Sequence, residues 1–246
     1  MRIRIAIATF VLAVAVVATA QADSPLAPKK HADFGHYTLA LTWQPGFCAE
    51  GQCAADQNHD VRLGLHGLWA SRPQDLISRG VAARQWWSRG CDFYHHSDAA
   101  PQLDRATRRH LERVMPQLDR SLLTHEYDKH VQCFDFDTQR FFATELGLRQ
   151  RIADSPLGDW LRQHAGQRVA RANLRAEFDR AFDTSKTQAL QLRCSGPYDS
   201  RYLSQLWLTI PRAHLAEFPQ DAGLMQAPIA QHNCPAHFRV PAWPSE

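Results

Sequence analysis

Large apolar residues alternate with smaller or polar ones along Tyr37-Thr-Leu-Ala-Leu-Thr-Trp43, at positions 37, 39, 41 and 43. A period of two predicts a strand with one buried face. Gln44-Pro-Gly-Phe-Cys48 breaks that pattern, and Cys48 to Cys53 spans only a short loop. Leu63-Gly-Leu-His-Gly-Leu-Trp69 is a second extended apolar run. Its two glycines leave room for another backbone or a ligand to come close to His66. Ser71-Arg-Pro ends the run, and Gln85-Trp-Trp-Ser-Arg-Gly-Cys91 leads into a loop with His95 and His96.

The spacing then changes to that of helices. Leu103 to Leu118 places apolar residues near helical spacing among Arg and Glu, and Ser121 is a candidate cap for the helix that follows. Asp137 is a candidate cap for Thr138 to Gln150, where Phe141, Phe142, Leu146 and Leu148 mark a buried face. Ser155-Pro156 has the form of an N-cap followed by proline in the first turn. Ala172 to Phe182 is a further amphipathic helix, with Leu174, Phe178 and Phe182 four apart. Period two returns in Ala189 to Cys194 and in Tyr202 to Ile210, separated by the Ser195-Gly-Pro turn, and Phe238-Arg-Val is a short last strand. Strands, then helices, then strands again predict an α+β fold: a mainly antiparallel β-sheet packed against several α-helices.

The beginning of the chain does not fit that pattern. Arg2 and Arg4 precede an apolar run through Ala18, and Ala18-Thr-Ala20 and Ala20-Gln-Ala22 both fit a cleaved export signal. The run is nearly long enough to be a retained membrane anchor instead, but the polar Asp23-Ser-Pro stretch starts no second span. Residues 1–22 are therefore read as a removed signal peptide, and 23–246 as one domain with no repeat or long linker. Losing Arg2 and Arg4 lowers the formal charge from +3 to +1. That near-neutral balance excludes a polybasic binder whose affinity comes from bulk phosphate neutralisation. Export also implies oxidised cysteines. Cys48, Cys53, Cys91, Cys133, Cys194 and Cys234 predict three disulfides, with fifteen pairings open. No Cys-x-x-Cys pair supports a zinc ribbon or a thioredoxin-type redox site.

The chemistry concentrates in His125-Glu-Tyr-Asp-Lys-His130, where five of six side chains carry charge or move protons. On a helix Glu126, Lys129 and His130 share a face. A zinc helix needs two histidines four apart, whereas His125 and His130 are five apart and would diverge by roughly 140° on an ideal α-helix. His66 alone could be a satisfied core histidine, Trp69 a core aromatic, and Glu126 with Lys129 an ordinary solvated pair. His95, His96, His110, His232 and His237 read as surface or loop residues. The combination points elsewhere. Two imidazoles supply one base and one acid, and cleavage of an RNA phosphodiester needs that pair at the ribose 2′-OH and the departing 5′ oxygen. Lys129 and Glu126 would stabilise the pentacoordinate phosphorane, and Trp69 could stack on a base.

Leu65-His-Gly-Leu-Trp69 and His125-Glu-Tyr-Asp-Lys-His130 resemble the two active-site segments of the ribonuclease T2 family. Leu39-Ala-Leu-Thr-Trp-Gln-Pro-Gly-Phe-Cys48, Lys129-His-Val-Gln-Cys133-Phe and the C-terminal cysteines extend the resemblance over the mature chain. It is most similar to the periplasmic ribonuclease I branch of Gram-negative bacteria. The resemblance implies a ribonuclease T2-like fold with Cys91 paired to Cys133, Cys194 to Cys234 and Cys48 to Cys53. It implies His130 as general base, His66 as general acid, and Glu126 and Lys129 as transition-state stabilisers. His125 would bind phosphate, although the branch can lack it, and Trp69 would line a base site. Also implied is a periplasmic or secreted monomer that needs no cofactor or metal. It would cleave RNA with weak base preference, leave DNA intact and stay off the membrane. The competing readings are a catalytically silent exported binder of RNA or another partner, and a zinc hydrolase. The family usually has proline and glycine where Ala70 and Val131 stand, so a looser loop beside Trp69 and a displaced helix end near His130 are expected. The consequence expected is an altered rate or base preference, not loss of activity.

Overall fold

A computed structural model describes residues 26–243, apart from 52, 98 and 119, so the leader read at 1–22 lies outside the described residues. Four strands carry the alternating patterns: β1 (His36–Trp43), β2 (Leu63–Ala70), β4 (Leu190–Ser195) and β5 (Tyr202–Pro211). They pair antiparallel in the order β2-β1-β5-β4. The short strands β3 (Arg168–Ala170) and β6 (His237–Arg239) pair with each other and touch β5 through one parallel bridge, Tyr202 to Arg239. β3 has only three residues, too few to show a period.

Alternation divides the sheet into two unlike faces. Tyr37, Leu39 and Leu41 of β1, Leu190 and Leu192 of β4, and Leu206, Leu208 and Ile210 of β5 are fully buried. They form one cluster with Phe141, Phe142 and Ile152, and with Leu174 and Phe178. The other face carries Thr38, Gln191, Gln205, Trp207 and Thr209, which line a cleft.

Among the described residues, eight α-helices surround the sheet. The first three are short: α1 (Gln44–Phe47), α2 (Gln74–Ser78) and α3 (Ala83–Arg89). α4 (Arg105–Val114) is capped by Asp104 and is shorter than its apolar spacing suggests, because the residue before Pro116 is driven to extended backbone and Leu118 instead bridges Cys53. α5 (Leu122–Glu126) starts at Ser121, whose Oγ accepts from Thr124 N–H. α6 (Thr138–Ala153) is capped by Asp137, α7 (Pro156–Gln163) by Ser155, and α8 (Arg171–Phe182) follows β3 directly. The disulfides join Cys48 to Cys53, Cys91 to Cys133 and Cys194 to Cys234, the pairing the resemblance implies.

Candidate active site

Two local irregularities build the site. On β2 the pairing with β1 jumps from Leu41–Leu65 to Ala40–Gly67, which leaves His66 as the extra residue of a β-bulge. A bulge re-aims the side chain it carries. The segment after α5 is the second irregularity. Tyr127–Val131 forms a π-turn, closed by a hydrogen bond from Gln132 N–H to Tyr127 C=O. With i→i+5 bonding, residues five apart stack much as residues four apart do in an α-helix. His125 and His130 therefore both line the cleft, in place of the roughly 140° divergence expected of an ideal helix. The helical run then tightens through Gln132–Phe134 and ends at Asp135, in the left-handed region at φ 52°. The terminus expected near Val131 is thus displaced by four residues. The looser loop expected at Ala70 is absent: Ala70 closes β2, is buried, and its carbonyl accepts from Trp86 Nε1 at 3.0 Å.

Glu126 lies between these segments and is 2% exposed. Its Oε2 accepts from Trp69 Nε1 at 2.6 Å, and its Oε1 is 3.4 Å from His66 Nε2. Burial raises the Glu126 carboxyl to about 8, while the Trp69 hydrogen bond and Lys129 act in the opposite direction. Burial lowers His66 to about 4, helped by the charges of His125 and Lys129. His130 is lowered well below its ordinary value by burial, then by Lys129, His125 and His66. His125 is more exposed than His66 and His130, and is lowered by partial burial and then by Lys129, with Asp128 and Asp92 opposing. The ring centroids of His66 and His130 lie 5.5 and 5.4 Å from that of Trp69. The indole therefore touches both imidazoles and holds the Glu126 carboxyl.

Glycine makes this packing possible. A Cβ on Gly67 would sit 2.1 Å from Glu126 Oε2, and one on Gly90 would sit 2.1 Å from the Lys129 carbonyl oxygen. Gly90 has a φ of +53° and precedes Cys91, whose disulfide to Cys133 fastens the end of α3 to the end of the π-turn. The cleft encloses about 640 Å³ and continues from the imidazoles across the polar sheet face. Ile77, Trp87 and Ile229, three of the four exposed large apolar side chains among the described residues, line it. Trp207 packs edge-on against Trp69 at 5.3 Å with the Arg193 guanidinium over its ring.

His66, Trp69, His125, Glu126, Lys129 and His130, singled out in the sequence, thus line one cleft. His95, His96, His110, His232 and His237 are not among its lining residues. Sequence reasoning missed Trp207, although its position between Gln205 and Thr209 on an alternating strand marks the polar face. It also missed Glu145, a buried acid on the apolar face of α6. Among the described residues, no group of three or more His, Cys, Asp or Glu side chains is placed to hold a metal ion.

Such an arrangement offers paired imidazoles, a neutral buried carboxyl and an ammonium around one point, which suits proton transfer at a group whose negative charge grows during reaction. The Ribonuclease T2 family profile matches residues 34–220. Ribonuclease I of Escherichia coli strain K12 is 31% identical over 93% of this chain and 94% of its own length. A probable ribonuclease of Haemophilus influenzae is 27% identical over 60% of this chain and 56% of its own. Among solved structures, the ribonuclease from bitter gourd seeds is 17% identical with a TM-score of 0.55, covering 84% of this chain and all of that one. A self-incompatibility-associated ribonuclease of Nicotiana alata is 15% identical with a TM-score of 0.58, covering 85% of this chain and all of that one. The solved structures establish the shared α+β fold; the profile and the near full-length match establish the lineage. The chain belongs to the ribonuclease T2 family, on the branch of bacterial ribonuclease I.

Proposed function

We propose that the protein is an exported, metal-independent endoribonuclease that cleaves single-stranded RNA with little base preference. Removal of the leader near Ala20 or Ala22 would release it to the periplasm as a monomer free of the membrane. Among the described residues no helix is long and apolar enough to cross a bilayer. In the first step His130 takes the proton of the ribose 2′-OH, the 2′ oxygen attacks phosphorus, and His66 protonates the departing 5′ oxygen. This leaves a 2′,3′-cyclic phosphate, which water opens more slowly to a 3′-phosphate with the two roles exchanged. DNA, lacking the 2′-OH, has no nucleophile to offer. The observation that carries this reading is the convergence of both imidazoles and the Glu126 carboxyl on Trp69. Lys129 and a protonated Glu126 stabilise the phosphorane, His125 binds phosphate and Trp69 lines a base site. Entry of a phosphate beside His66 restores basicity to an imidazole that burial has lowered, and so makes it an acid once substrate is bound.

The roles separate by leaving group. The 4-nitrophenolate of a ribonucleoside 3′-(4-nitrophenyl phosphate) departs without a proton, so His66→Ala cleaves this ester far better than it cleaves a dinucleotide, whereas His130→Ala is slow on both. On RNA each variant is slower by roughly 10²–10⁴-fold, the range of a lost acid or base. Equal deficits of His66→Ala on the two substrates, or near-parent cleavage of RNA by either folded variant, would contradict the assignment.

A further inference from the structure

The polar sheet face that floors the cleft takes no part in the mechanism above. Its centre is Trp207 on β5, which pairs with Gln191 of β4 and stands between Gln205 and Thr209 on the same face. Thr209 in turn pairs with Thr38 of β1. Direct partners on one face of a sheet stand about 5 Å apart, so these side chains form one patch. All five line the cleft, and Trp207 meets Trp69 at 5.3 Å, which joins the patch to the indole between the imidazoles.

Hydrogen bonds within the patch decide what it offers a ligand. Trp207 Nε1 donates to Gln205 Oε1 at 2.7 Å. An indole N–H can only donate, so the Gln205 amide has one orientation, with its oxygen turned to the indole and its NH2 turned away. Among the described residues that NH2 meets no acceptor, and it is not sealed from solvent, so it opens into the cleft that Gln205 lines. Gln191 is fixed in the same way. Its Oε1 accepts from the N–H groups of Gln231 and His232 at 2.7 and 3.1 Å, its Nε2 donates to Gln188 C=O at 2.7 Å, and it is 3% exposed. It holds the 231–232 segment against the sheet and turns no free oxygen to the cleft. No carboxylate belongs to the patch, and the Arg193 guanidinium over the Trp207 ring adds positive charge. The two threonine hydroxyls can donate or accept. The group of fixed sign that the patch presents is therefore a donor.

We propose that Gln205 is a specificity-determining residue whose NH2 reads a nucleobase beside Trp207, favouring uracil over cytosine and guanine over adenine. Uracil O4 and guanine O6 accept at the edge where cytosine N4 and adenine N6 donate. A donor set against a donor leaves both unpaired, which is the source of the discrimination. One net hydrogen bond supports a bias of about fivefold, small enough to leave every base cleavable. This role rests on the reading that the cleft takes RNA.

Calorimetric titration of the full mature chain with the 3′- and 5′-monophosphates of uridine, cytidine, guanosine and adenosine tests it, because the two phosphate positions place the base on either side of the scissile bond. In one of the two series the uracil and guanine nucleotides bind about fivefold more tightly than their amino counterparts. Gln205→Glu keeps the volume and the oxygen for Trp207 Nε1 but replaces the NH2 by a second oxygen, and the bias reverses toward cytosine and adenine. Gln205→Met supplies neither group and loses the bias, which keeps the test available if the glutamate variant folds poorly. A Gln205 that only clamps Trp207 changes all four affinities alike. Parent-like affinity ratios in either folded variant, or a parent without the bias in both series, overturn the proposal. Absence of RNA cleavage by the parent overturns the functional reading instead, and the nucleotide affinities still test the base contact.

Discussion

A single methyl group on Gly67 would stand 2.1 Å from Glu126 Oε2 and 2.7 Å from Trp69 Nε1, inside the hydrogen bond that joins them. Gly67→Ala therefore separates the carboxyl from the indole without touching an imidazole. The expected result is a fall in kcat of roughly 10²-fold, the cost of a misplaced group, with a stability loss of about 1–3 kcal/mol by thermal melting. Parent-like turnover would show that the contact is dispensable. The same burial sets a pH dependence. From its ordinary 4.5 up to about 8, native Glu126 keeps a proton that the unfolded chain has released, so this group lowers stability as pH rises through that window. From about 4 to 6.5 the unfolded chain binds a proton that native His66 does not, so His66 raises stability with pH there. The two oppose each other up to 6.5, and Glu126 alone continues beyond. Stability should fall between pH 6.5 and 8 with a slope of at most about 1.4 kcal/mol per pH unit for this proton. Glu126→Gln should flatten that fall, and equal slopes would contradict the raised carboxyl. His66, Glu126, Lys129 and His130 were legible in the sequence because chemistry-bearing types cluster in two short runs. Glu145 was not, because one acid between Phe142 and Leu146 looks like a polar position on an amphipathic helix until the strand behind it is known.

At the scale of elements, the strands and the capped helices follow their patterns, and the departures occur where the site is built. Neither the bulge at His66 nor the π-turn at Tyr127–Val131 has a residue-type signature, since each is one extra residue absorbed by the surrounding pairing. The fixed-period argument that separated His125 from His130 failed for that reason. The Cys91–Cys133 disulfide holds the far end of the π-turn, and the other long-range pair supplies a control. Cys91–Cys133 and Cys194–Cys234 close separations of 42 and 40 residues, so chain entropy assigns each about 4 kcal/mol. Cys194 lies on β4, three strands from β2 in the sheet order. Replacing either pair by serine should cost similar stability in urea, whereas kcat at a temperature where both variants stay folded should fall only for Cys91 with Cys133. Equal kcat losses would mean that the disulfide does not place Lys129 and His130.

Across the whole molecule, one sheet separates two functions. Its leucine face makes the core, and its polar face floors a cleft of about 640 Å³ that the imidazoles share with Ile77, Trp87 and Ile229. The fold class was legible because strand, helix and strand blocks are cleanly separated along the chain. The cleft was not, because its walls come from β1, β2, β4 and β5, from α2, α3 and α5 with the π-turn, and from the segment around Pro228, whose adjacency only topology supplies. The central claim is that this cleft cleaves RNA through its own 2′ oxygen using side chains alone. The most direct measurement incubates the mature, disulfide-intact protein with a short RNA and with its DNA counterpart in excess EDTA, and identifies the products by mass spectrometry. RNA fragments ending in 2′,3′-cyclic phosphate, later converted to 3′-phosphate, with DNA intact, are the predicted result. Intact RNA that restored zinc makes cleavable, or RNA bound but never cut, would contradict it.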